Sequence, residues 1–140
     1  MSKMSEQEIQ LLMRDVSARF PYGVVCQTLE EYQLAGSDKQ LGKLTGRLVE
    51  CGDEWCNFID LKDNMPFSIN WGDFRPCLRR MTSMTDEEKR EYEVRKNMAA
   101  HLPDKIGTDV DYLLENHFDF HGMIIAGIGV EVTNEFNPYR

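Results

Sequence analysis

The sequence predicts an α+β fold in which an N-terminal helix leads into a small, strongly bent antiparallel meander sheet, followed by two helices. Three observations predict it. Behind Ser5 and Glu8, a capping-box pair, Ile9, Leu12, Met13, Val16 and Phe20 recur at helical spacing. Between Val24 and Trp71, short runs alternate apolar and polar residues with period two and are separated by turn formers. From Thr85 onward the chain returns to capped helical segments with oppositely charged residues four apart, Asp86 with Arg90 and Glu91 with Arg95.

The first helix is expected from Ser5 to Arg19, with Pro21 ending it. The β-branched run "YGVVCQTL" reads as a strand, and "EEYQLAGSDKQLG" as a loop of turn formers. In "LGKLTGRLVECGDEWCNFIDL", Leu44 and Leu48 alternate with Lys43, Thr45 and Arg47; "CGDE" makes a tight turn; Trp55, Ile59 and Leu61 resume the alternation. The five apolar residues Leu44, Leu48, Trp55, Ile59 and Leu61 are therefore expected on one core face. After "KDNMP" comes the clearest strand, with Phe67, Ile69 and Trp71 on one face and Ser68 and Asn70 on the other. "FRPCLRR" is a further strand, confined to an edge or a strand end because Pro76 lacks a backbone donor.

The helix after Thr85 is thin in apolar residues (Tyr92, Val94, Met98 and Leu102), which places it at the surface. Thr108 with Asp111 caps a third helix carrying Val110, Leu113, Leu114 and His117 on one face. The run "FDFHGMIIAGIGVEV" fits a buried strand or a short helix equally well. All of this fits one domain over residues 1–140, with helix and sheet in 5–80 and a helical part in 81–140 packed on it. A core of this size is stable without disulfides or metals. A bent meander behind a helix resembles the SH3-like and Sm-like barrels, a likeness of fold that assigns no function.

Composition narrows the functions. With 24 acidic against 16 basic residues the net charge is -8, which disfavours phosphate backbones and anionic lipid. From His101 to Arg140, Asp104, Asp109, Asp111, Glu115, Asp119, Glu131 and Glu135 face only Lys105 and Arg140, so the acidity concentrates there. No apolar run reaches signal-peptide or membrane-span length, so a cytoplasmic protein is expected, with Cys26, Cys51, Cys56 and Cys77 as reduced thiols.

Few residues suggest chemistry. Zinc sites bring ligands in close pairs, and Cys51 with Cys56 is the sole near pair, so no metal and no cofactor is expected. His117, Asp119 and His121 in "HFDFH" are the residue types of a metal-dependent hydrolase, the weakest of three readings. No nucleophile elbow or Gly-rich phosphate loop occurs. Arg75, Arg79 and Arg80 are a cation cluster with no acid between them, beside Phe74 and near Tyr92 in sequence. Cations interleaved with aromatics bind phosphates and bases, which makes these five the candidate binding residues.

"FRPCLRRMTSMTDEEKREY", with "RFPYGVVCQ" early and "DYLLENHFDFHGMI" late, resembles a set of small proteins encoded by phages and prophages of gut bacteria. These carry a P-Y-L-R-P-x-S-x-M-T-E-E-E segment and, later, H-F-D-[YF]-R-G-L-I. Arg80 stands where a proline is usual there, and His121 where an arginine is usual. The resemblance implies a phage or mobile-element origin and a host cytoplasm, and carries no residue roles. The leading expectation is a small acidic, non-enzymatic accessory protein that binds another protein. The alternative is an SH3-like or Sm-like nucleic-acid-binding module.

Overall fold

Ser5 accepts from the Glu8 N–H at 3.1 Å while the Glu8 carboxylate accepts from the Ser5 N–H at 2.9 Å, so the predicted capping box starts the first helix. The structure, a computed structural model, describes residues 4–32 and 42–140. Helix α1 spans Glu6–Arg19 and runs into a 3₁₀ turn, Phe20–Tyr22, that Gly23 closes with a left-handed φ of 69°. Strands β1 (Val25–Tyr32), β2 (Gly42–Cys51), β3 (Trp55–Asp60), β4 (Pro66–Asn70) and β5 (Phe74–Arg80) follow. Then come α2 (Asp86–His101), α3 (Thr108–Glu115) and two short strands, β6 (Phe118–Asp119) and β7 (Val130–Glu131). Of the predicted loop "EEYQLAGSDKQLG", Glu30–Tyr32 extend β1 and Gly42 opens β2. Residues 33–41 lie outside the described residues.

The α+β class, the leading helix and the two later helices are as expected. The sheet departs from the expectation in two ways. Strands β1 to β4 form an antiparallel meander and β5 returns antiparallel to β1, but β6 and β7 both join β5 in parallel, so the sheet is mixed. It is also open, in the order β4-β3-β2-β1-β5-β6, and closes into no barrel.

Strand β5 is interior, which corrects its placement at an edge. The Leu29 N–H donates to the Asp73 carbonyl at 3.0 Å, so the ladder alternates to make Cys26–Pro76 a pair without hydrogen bonds. Pro76 sits where β1 asks for no donor, and is buried there.

One sheet face packs on α1 through Leu12, Val16, Leu48, Phe58, Ile69 and Phe74. Val25 and Cys77 are buried with Val132, and Phe136 and Tyr139 of the C-terminal segment pack against them. Tyr139 anchors that segment: its hydroxyl donates to the Cys77 carbonyl at 2.7 Å and accepts from the Val25 N–H at 3.0 Å.

The β2–β3 hairpin buries a different set of residues from the predicted one. Cys56 and Phe58 are buried, whereas Trp55 is 50 % exposed, Leu61 is exposed and Ile59 is half-buried. The cause is a bulge. Leu48 pairs with Phe58 but Glu50 pairs with Asn57, so β2 spends one extra residue and its inward side changes from even to odd positions. Gly46 permits the packing beneath: a Cβ there would meet the Ile59 carbonyl and the Phe67 ring at 2.8 Å.

Candidate functional site

The arginines singled out in the sequence form a seam that ties the sheet to the segments after it. Arg79 makes a two-pronged pair with Glu88, both distances 2.8 Å, and lies over the Phe118 ring at 4.2 Å. Glu88 is also the reciprocal capping residue of α2, so one carboxylate fixes the helix start and binds it to β5. Arg80 pairs with Glu131 at 2.9 Å, and Arg75 donates to the Gly127 carbonyl at 3.2 Å. Phe74 is buried in the core, and Tyr92 packs half-buried against the cluster of Met84, Tyr112, Leu113 and Phe118 with Lys96 over its ring. The five candidate binding residues thus lie on both sides of one seam, with the three cations engaged by other parts of the chain.

The histidines of "HFDFH" serve separate tasks. The third helix starts at Thr108 with Gly107 as its N-cap and no side-chain cap, and it ends at Glu115, so His117 lies beyond it in a left-handed conformation with φ 62°. There it stacks on Tyr139, ring centroids 3.7 Å apart. The Asp119 carboxylate accepts from the N–H groups of Met123 and Ile124, each at 2.9 Å, and so shapes the turn after β6. The run from Phe118 is therefore neither a continuous strand nor a helix. His121 Nδ1 lies 2.7 Å from Asp15. The three residues do not converge as ligands, and no group of three or more His, Cys, Asp or Glu side chains among the described residues is arranged to hold a metal.

What His121 joins is a buried ionic cluster that the sequence did not reveal. Asp15 and Arg19, one helical turn apart on α1, are both 0 % exposed and are held by bonds of 2.7 and 3.1 Å. Arg19 also donates to the Phe118 carbonyl at 2.7 Å, which fastens α1 to β6. Burial, with Arg19 and Arg79 nearby, pushes His117 down to about 4, and hydrogen bonds from Arg79 pull Glu88 down to about 2.

These shifts have a pH signature. A neutral, half-buried His117 and a paired Glu88 each contribute stability above their unfolded pKa and lose it as pH falls. Stability is therefore expected to decline from about pH 6.5 towards 4 through His117, and again below about 4.5 through Glu88. Urea midpoints at stepped pH check this: His117→Gln should flatten the upper window and Glu88→Gln the lower. Unchanged profiles in both variants would contradict the assignment.

A cleft of about 560 Å³ lies between β1, β2 and residues 135–138. Tyr32 and Gly42 bound it, the residues on either side of the undescribed segment. Its buried acid, Asp60, is already engaged by the N–H groups of Lys62 and Asp63 at 3.1 and 2.8 Å.

The remaining feature is the α2–α3 hairpin. No residue of α2 is buried; its half-buried stripe, Glu88, Tyr92, Arg95 and Met98, includes Arg95, which lies over the Tyr112 ring of α3 at 5.0 Å. Buried Tyr112, Leu113 and Leu114 hold α3 to the rest of the protein. Where the two helices join, Leu102, Ile106 and Val110 are all exposed, Ile106 by 77 %. Asp104 and Asp111 stand exposed among them, and Asp109 is half-buried.

In comparisons with family models, curated proteins and solved structures, none matches this chain. Among the described residues, no helix is long and apolar enough to cross a membrane.

Proposed function

We propose that this chain is a small acidic, non-enzymatic interaction protein that binds a basic protein surface through the junction of α2 and α3. The observation that carries the reading is the exposed trio Leu102, Ile106 and Val110 set among Asp104, Asp109 and Asp111, with Lys105 the one cation between them. Exposed apolar side chains clustered within a polar rim are the anatomy of a docking surface. The acidic rim selects a basic partner and speeds encounter with it. Support over nucleic-acid binding comes from charge: the net charge is -8, and Arg75, Arg79 and Arg80 are already engaged by Gly127, Glu88 and Glu131. The resemblance to phage-encoded segments supports a host cytoplasm as the workplace.

The test compares capture from host lysate by the natural chain and by Ile106→Glu/Val110→Glu, with circular dichroism confirming that both are folded. The bound protein should be lost by at least tenfold in the variant and should dissociate with added salt. Retention by the variant, or capture of nucleic acid that nuclease removes, would overturn the proposal.

A further inference from the structure

We propose that Cys51 and Cys56 are a modification site: a dithiol positioned to close reversibly into a disulfide across the β2–β3 hairpin. The two are directly opposite in the ladder. The next pair towards the turn is joined by the Gly52 N–H to the Trp55 carbonyl at 2.9 Å, so by alternation Cys51–Cys56 is the narrow pair without hydrogen bonds. Such pairs bring Cα atoms to about 4.5 Å, inside the range a disulfide spans. The bulge at Val49 is what turns Cys51 inward, onto the side of Cys56.

The pair differs from the other thiols in access. Cys51 is half-buried while Cys26, Cys56 and Cys77 are buried, so an oxidant meets Cys51 first. With a disulfide oxidant such as oxidised glutathione, the Cys51 thiolate attacks one glutathione sulfur and expels the other as a thiolate. Cys56, losing its proton, then attacks Cys51 Sγ and displaces the second glutathione. The two cysteines give up two electrons and two protons, and the oxidant leaves as two thiols. Burial raises both thiols, Cys56 to about 12, so the pair rests protonated at neutral pH and closes faster as pH rises. Closure tightens the turn that seats Trp71, whose indole donates to the Gly52 carbonyl at 2.8 Å and whose backbone N–H donates to the Glu54 carbonyl at 3.0 Å.

The experiment incubates the folded full chain with oxidised glutathione at about pH 9, where more of the Cys51 thiol is ionised than at neutral pH, then alkylates it in denaturant and maps the peptides. The expected result is loss of two of the four alkylatable thiols, Cys51 and Cys56, joined to each other and carrying no glutathione. Cys56→Ser should stop at a glutathione adduct on Cys51, and dithiothreitol should restore all four thiols in the natural chain. A lasting adduct on Cys51 of the natural chain would overturn the proposal. So would pairing of Cys26 with Cys77 instead, or four free thiols under conditions that oxidise the urea-unfolded chain.

Discussion

Asp15→Ala is expected to cost about 3–5 kcal/mol, because breaking a buried ion pair by removing one partner leaves an uncompensated charge in the interior. Among the described residues the carboxylate is the sole acidic partner of Arg19, and it is also the partner of His121 Nδ1. Without it the guanidinium keeps the Phe118 carbonyl, while Nη1 already lacks a partner among the described residues. A loss of that size is a large part of the stability of an ordinary domain. The double variant Asp15→Ala/Arg19→Met should recover much of the loss, since apolar groups of similar volume replace buried ion pairs at little cost. Urea unfolding of the natural chain and both variants decides the matter. A single-variant loss below about 1 kcal/mol would mean that water reaches the cluster and screens it.

That cluster shows where sequence reasoning stops. Asp15 and Arg19 are four apart on a helix, a spacing that usually marks a solvated pair. Their burial depends on His121 and the Phe118 carbonyl, which arrive from the far end of the chain, and nothing local records that arrival. The features that were legible are local ones. Both capping boxes, at Ser5 and Thr85, rest on side chains three residues apart, and the structure has both. Phe67, Ile69 and Trp71 alternate cleanly with polar neighbours in β4 and the turn after it, and they point inward. Pro76 misled because its cost depends on which side of the strand asks for a donor, a property of the register. The arginine cluster was visible as chemistry, whereas its counter-charges Glu88 and Glu131 come from α2 and β7 and are set by tertiary packing.

Phe58→Ala is expected to cost about 3–5 kcal/mol, and Trp55→Ala under about 1 kcal/mol, in the same hairpin. Phe58 is 1 % exposed, stacked on Phe67 at 5.2 Å and edge-on to Phe74 at 5.0 Å, so its removal opens a cavity between rings that α1 and β4 hold in place. Trp55 is half exposed on the opposite side of β3. Simple alternation assigns these roles the other way round, since in "WCNFIDL" both parities carry apolar residues and Trp55, Ile59 and Leu61 make the longer apolar series. The bulge at Val49 is what separates the two assignments, because it shifts the inward side of β2 by one residue and carries Cys51 inward opposite Cys56. Chemical denaturation of the two variants therefore tests the register. A larger loss for Trp55→Ala would remove the bulge from the hairpin, and with it the geometry that brings Cys51 and Cys56 together.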